Sequence, residues 1–198
     1  MAKLILNGAT SGSISLESPA VSGTTTLTLP TTSGTVLTNG INTNFPTGSV
    51  LQVVSTTKTD SYSNAAQNAW NDVTGLSVSI TPSSSSNKIL VTGQLSYAAG
   101  SNLYFRLVRG STAIAVGDTA GSRVSCTGAS GYNFTDGNVG ENANFNFLDS
   151  PSTTSSTTYK IQVYGLNVTQ YVNRVVTDTD STVSPRNVST ITVMEIKA

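Results

Sequence analysis

Between Gly12 and Leu37, apolar residues alternate with serine and threonine. Ile14 and Leu16 make one short run, Leu27 and Leu29 a second, and Val36 and Leu37 close a third. Successive side chains of an extended chain point to opposite faces, so this period-two pattern predicts half-buried strands. Gly23, Pro30 and Gly34 fall between the runs, at turn positions. Each predicted strand has one narrow apolar face and one hydroxyl face. A hairpin of that size is marginal alone in water. Its apolar face needs cover, either from the rest of this chain or from other copies of the same segment.

Residues 39–48, NGINTNFPTG, form a Gly/Asn/Pro-rich connection and a candidate boundary between segments 1–47 and 48–198. Beyond it the predicted strands lengthen. They cover residues 50–54, 73–80, 89–97, 103–108, 112–116, 143–148, 158–166 and 188–196. Gly93 marks a bulge or a close-contact position. Residues 65–69 are expected to make at most one helical turn, with no strong cap. Eight or nine strands with no longer helix predict an all-β fold. Eight strands in about 150 residues suit an antiparallel double-sheet jelly roll. An immunoglobulin-like sandwich is the runner-up, although its Cys…Trp…Cys spacing is missing. The closing strand VSTITVMEI carries Ile191 and Val193 on one face and Met194 and Ile196 on the other. A strand apolar on both faces needs cover on both sides, and a single sandwich supplies one.

The stretch TTTLTLPTTSGTVLT resembles the repeat of tail-fibre proteins from tailed bacteriophages, especially those of marine hosts and cyanophages. That resemblance covers about residues 8–40. It implies a trimeric shaft segment with Ile14, Leu16, Leu27, Leu29, Val36 and Leu37 as the trimer core. Residues 48–198 resemble a C-terminal domain found at the ends of such fibres, through Ile80-Thr81-Pro82, Lys88 to Val91, Arg106-Leu107, Leu148 to Pro151, Tyr159 and Ile191 to Ile196. This second resemblance implies a trimeric jelly-roll head similar in outline to those of the tumour-necrosis-factor and C1q type. Long fibres usually carry a virion-anchoring domain and a long shaft. Only about forty residues precede the head here, so the expectation is a stub fibre, a fragment, or a subunit fixed elsewhere on the particle.

Composition narrows the partners. Lys and Arg total 10 and Asp and Glu total 10, so the net charge is zero. Twenty-nine Ser and 31 Thr supply the polarity instead. Such a surface steers little at long range. It has no basic patch to displace counterions, which argues against nucleic acid as a partner. No run of about eighteen apolar residues predicts a membrane span. The start, MAKLILNGATSG, is too weakly apolar for a secretory signal. Cys126 is alone, so no disulfide can form within one chain, and synthesis in a host cytoplasm is expected. The sequons at Asn133, Asn167 and Asn187 are then incidental.

Histidine is absent, which removes serine–histidine and cysteine–histidine pairs and the usual zinc sites. The ten acids are scattered, with no paired-carboxylate motif of the kind a glycosidase needs. The expectation is a protein that is not an enzyme, with no cofactor and no metal. Asp136-Gly137-Asn138 with Glu141, and Asp178-Thr179-Asp180, offer oxygen ligands for calcium, but Asx-type turns account for both. Cys126 reads as a small filler beside a loop, and Trp70 either anchors its polar segment to the sandwich or faces a ligand.

The expected function is that of a virion structural protein, a short homotrimeric fibre whose β-sandwich head recognises a host-surface receptor, a glycan or lipopolysaccharide. The expected location is the virion, as a tail fibre ahead of a head or neck fibre, with other virion proteins bound through the N-terminal segment. Loops at 118–142 and 167–187 combine aromatic faces with amide and carboxylate groups. Tyr132, Asn133, Asp136, Asn138, Tyr171, Asn173 and Arg174 are the candidate receptor-binding residues. The alternative is a purely structural decoration or connector protein without receptor binding. A polysaccharide depolymerase ranks third, because such phage enzymes are usually larger β-helices.

Overall fold

The computed structural model describes residues 3–17, 23–24, 26, 31, 45–130 and 137–198. All regular structure among them is β. The chain divides into two compact units, residues 1–37 and 38–198.

In the first unit, β1 (Lys3–Asn7) and β2 (Ser13–Glu17) form an antiparallel hairpin. Strand β1 was not expected from the sequence. The register places Leu4 opposite Leu16 and Leu6 opposite Ile14, so four aliphatic positions share one face. Leu4 and Leu6 are more than half exposed. Leu27, Leu29, Val36 and Leu37 lie outside the described residues.

The second unit is a sandwich of two antiparallel sheets. Its strands are β3 (Val50–Lys58), β4 (Tyr62–Asn64), β5 (Asn71–Ile80), β6 (Lys88–Ala99), β7 (Leu103–Arg109), β8 (Thr112–Ile114), β9 (Gly128–Ala129), β10 (Glu141–Asp149), β11 (Thr157–Gly165), β12 (Gln170–Val172) and β13 (Ser189–Ile196). The first sheet runs β3-β13-β6-β10, with β12 and β4 extending it beyond β13 along the far end of β6. The second runs β5-β11-β7-β8, with β9 also pairing to β7. The eight principal strands pass between the two sheets in the order of a jelly roll, not of the immunoglobulin-like runner-up. The other strands are two or three residues long, too short for alternation to reveal them.

Alternation sets the core. In β13, Ser189, Ile191, Val193 and Glu195 face inward, while Thr190, Thr192, Met194 and Ile196 stand half-buried on the outer face. Leu76, Ile89, Leu95, Leu107, Ile161 and Ile191 are fully buried, each contributing about 1.5–3 kcal/mol relative to exposure. Phe105 on the second sheet bridges Tyr97 and Phe145 on the first, at ring-centroid distances of 6.1 and 6.2 Å. Strand β5 carries a bulge opposite Lys160 and Gln162, with Gly75 at φ 81°, so Val73 and Leu76 both reach the core at a spacing of three. Gly93 keeps regular register between Phe145 and Ile191; it is a close-contact position, not a bulge. The expected helical turn at 65–69 does not form. Asn64 Oδ1 accepts the Ala66 N–H at 2.8 Å, and Asn68 adopts φ 56°, which a right-handed helix cannot accommodate.

A polar tie joins the sheets. Buried Asp149 on β10 accepts two hydrogen bonds from Arg109 Nη1 on β7 and one from the Tyr159 hydroxyl on β11, at 2.8, 2.9 and 2.7 Å. At the base, Gly48 N–H donates to Lys197 O and Lys197 Nζ to Phe45 O, so the chain enters the sandwich beside its C-terminus.

Candidate functional site

Two surfaces of the sandwich carry the features that sequence reading associates with function. The first is the outer face of the β3-β13-β6-β10 sheet. Its register lines up Val53, Met194, Leu90 and Leu148 in one row across four strands. Val53 and Leu148 are 56% and 55% exposed. Ile196 and Val50 pair beside that row, and Val50 is also exposed. The next row is polar: Ser55, Thr192, Thr92 and Asn146, with a 2.8 Å hydrogen bond between the hydroxyls of Ser55 and Thr192. The outer face thus has an apolar band at one end and a hydroxyl–amide field at the other. Sequence reading found Met194 and Ile196 but missed Val53 and Leu148. The signal for Leu148 was its position out of phase with Phe145 and Phe147.

The second surface is built by the chain around β12 and the segment 173–188. The structure brings Asn138 beside it, since Thr177 N–H donates to Gly137 O at 2.8 Å. Tyr171 is half-buried, with the Arg174 guanidinium 4.6 Å above its ring. Arg174 is committed within the protein. It donates to Val175 O, Val176 O and Ser63 Oγ and pairs with Asp178 at 3.1 Å. Asp178 also pairs with Arg186, and that hydrogen bond, with both arginine charges, holds its carboxyl below the usual carboxylate range. Asn173 corrects the sequence expectation. It is fully buried at φ 60°, donating to Lys58 O and Asp60 O while Ser189 Oγ donates to its Oδ1 at 2.6 Å. Its amide clamps β3, β12 and β13 together and reaches no ligand. Tyr132, Asn133 and Asp136 lie outside the described residues. A shallow groove of about 410 Å³ lies where this segment meets the polar end of the first sheet, lined by Thr59, Gln94, Asn142, Arg186, Asn187 and Val188.

Of the acids considered for calcium, Glu141 accepts a hydrogen bond from the Tyr97 hydroxyl at 3.0 Å. Among the described residues no three acidic or cysteine side chains gather as a metal site requires. Cys126 is half-buried, and burial pushes its thiol pKa up, away from thiolate reactivity.

The sandwich is an all-β jelly-roll domain. No protein-family model and no curated protein matches the chain. Solved virus structures bear a distant likeness. The infectious bursal disease virus Gx strain structure matches at 12% identity and a TM-score of 0.37, over 84% of this chain and 47% of that one. The crystal structure of the VP2 subviral particle of the same virus matches at 14% identity and a TM-score of 0.35, over 74% of this chain and 41% of that one. The chain spans less than half the length of these solved chains.

Proposed function

We propose that the chain is a virion structural protein that works as a homotrimer, with a jelly-roll head and a β-stranded N-terminal segment. The observation that carries this reading is the apolar row Val53–Met194–Leu90–Leu148 on the outer face of the first sheet. Within the sandwich nothing among the described residues covers it, and exposed contiguous apolar surface on a sheet favours association. The exposed aliphatic face of the β1–β2 hairpin supports the same reading, because an isolated hairpin gains too little burial to stand alone. Three as the copy number rests on the sequence resemblance to fibre shafts and heads. The head's task is non-catalytic recognition of a host-surface glycan, and three weak sites on one trimer gain from effective concentration.

The connector reading, without receptor binding, draws support from the loop around β12: Asn173 and Arg174 are spent on internal bonds. Sedimentation equilibrium tests the assembly. The expected mass is three times the 20.4 kDa chain. Val53→Asp with Leu148→Asp should give a folded monomer, and an unchanged trimer would remove the outer face as the contact. A cell-adhesion assay on the wild-type trimer separates recognition from a connector role.

A further inference from the structure

The outer face of the second sheet holds a surface unlike the apolar band of the first. Trp70 stands immediately before β5, and the register that pairs Asn71 with Val163 brings it beside Tyr164 on β11. Tyr164 in turn pairs with Tyr104 on β7. The three rings form one transverse row, with centroids 5.5 Å apart for Trp70–Tyr164 and 5.8 Å for Tyr164–Tyr104. The neighbouring row is polar. Asp72 pairs with Gln162, and Gln162 with Arg106. Gln162 Nε2 donates to Asp72 Oδ1 at 2.7 Å, and Arg106 Nε donates to Gln162 Oε1 at 2.9 Å. Lys160 Nζ closes the chain on Asp72 Oδ2 at 2.7 Å. The Arg106 guanidinium lies 4.2 Å over the Trp70 ring, locking the two rows together.

From this juxtaposition we propose that the outer face of the second sheet binds a single glycan chain, stacked on Trp70, Tyr164 and Tyr104 and hydrogen-bonded by Asp72, Arg106 and Gln162. This rests on the recognition reading above and gives it a place other than the loops.

Each part has the chemistry a sugar requires. Pyranose rings present faces of C–H bonds, which pack on aromatic faces, and rims of hydroxyls, which both donate and accept. The three aromatic residues are half-buried, each keeping part of its surface open to solvent. The Tyr104 and Tyr164 hydroxyls, the Trp70 indole N–H and the two terminal nitrogens of Arg106 make no side-chain hydrogen bond to the described residues. Tyrosine and tryptophan polar groups normally find partners when covered, so these are left for water or a ligand. Asp72, Gln162 and Arg106 are already oriented by bonds to one another, which lowers the ordering cost of binding. The face sets Lys160, in a close pair, and Arg106 against the single carboxylate of Asp72, a net positive charge of one that matches a neutral or weakly acidic glycan. The rings are tilted by 55° and 51°, so the row is a twisted ledge suited to one soluble chain and not to a flat crystalline sheet of polysaccharide. Among the described residues no aliphatic row accompanies it on this face, which separates it from a face made for a second copy.

Trp70 is the protein's single tryptophan, so its emission reads this face alone. The test takes the intact protein to a printed array of bacterial polysaccharides and defined hexasaccharides, then titrates the strongest binder while following tryptophan emission. Binding should shift the emission. Tyr164→Ala and Tyr104→Ala should each weaken binding tenfold or more, with melting temperatures reported alongside. Gln162→Leu, which keeps the aromatic row, should weaken it several-fold. Tyr171→Ala should leave it unchanged. Glycan binding without an emission change, or lost in Tyr171→Ala alone, overturns this site while leaving recognition in place. Binding of no glycan, or an emission shift only with proline-rich peptides, overturns the glycan assignment. Sedimentation reports separately on the trimer, so failure of that reading is distinguishable.

Discussion

Asn87 donates its side-chain amide to Glu195 Oε1 at 2.6 Å, and both residues are almost completely buried. Ser83 adds its backbone N–H and its hydroxyl to the same oxygen, each at 2.7 Å, while Gln52 donates to Oε2 at 2.6 Å. Burial alone raises the carboxyl pKa; the hydrogen bonds from Asn87, Gln52 and Ser83 outweigh it and leave the group below the usual glutamate value. Four donors thus pin the end of β13 to β3 and to the 83–87 turn.

The first prediction follows from that carboxylate. A depressed folded-state pKa gives stability that is present above the unfolded-state value and is lost as pH falls through the folded-state value. Glu195→Gln turns one acceptor into a donor facing other donors and should cost about 1–3 kcal/mol at neutral pH. The gap between wild type and variant should shrink as pH drops into the acid range. Urea midpoints measured from neutral to acid pH check this; a gap that stays constant would show that Glu195 is not ionised in the fold.

The inter-sheet tie gives the second. Tyr159→Phe removes one hydrogen bond to a buried carboxylate and should cost about 1.5–3 kcal/mol. Asp149→Ala should cost more, because it leaves the buried Tyr159 hydroxyl without its partner and removes the ion pair with Arg109 as well. Burial, then the bond to Asp149, raises the Tyr159 phenol pKa above the tyrosine range. Burial and the bond to Glu141 raise Tyr97 likewise, so ultraviolet titration should find two tyrosines that ionise only on alkaline unfolding, and Asp149→Ala should release one of them earlier.

Gly93 carries the third. Replacing glycine by alanine at a compatible site stabilises by about 0.4–1 kcal/mol. Here a Cβ would lie 2.7 Å from Phe145 Cζ and 3.1 Å from Ile191 Cα, and would also meet Thr190 O. Overpacking of this kind costs about 1–3 kcal/mol, so Gly93→Ala should be net destabilising. Adding Phe145→Leu frees the ring contact but not the backbone one. In the Phe145→Leu background, itself weakened by the lost core contact, Gly93→Ala should cost less than in the wild type but still more than nothing in chemical denaturation.

These residues show which features the sequence could carry. Period-two alternation located every long strand, because burial on one face is a local property of spacing. It also put Glu195 in phase with Ile191 and Val193, yet gave no sign of the four donors waiting inside. Those come from β3 and a turn more than a hundred residues away in sequence. The row of Trp70, Tyr164 and Tyr104 has the same cause, since only strand pairing brings three isolated aromatics into line. Asn173 failed as a surface candidate for the opposite reason. An Asn in a polar loop reads as solvated, but here the loop folds back and its amide is taken up by Lys58 O, Asp60 O and the Ser189 hydroxyl.

The last prediction concerns the hairpin. Leu4 and Leu6 share a face with positions 14 and 16, while Ile5 occupies the other face. All three are more than half exposed within one chain. If three copies wrap that aliphatic face around a common axis, Leu6→Asp puts three like charges into an apolar interior, where even one unpaired charge is strongly disfavoured. Residues 1–37 should become protease-sensitive, while residues 38–198, which hold their own core, should keep their melting transition. Ile5→Asp should do neither. Limited proteolysis and calorimetry on this pair distinguish a buried face from a solvated one. Equal tolerance of both substitutions would mean that the hairpin stands free of the assembly, and equal damage that both its faces are covered.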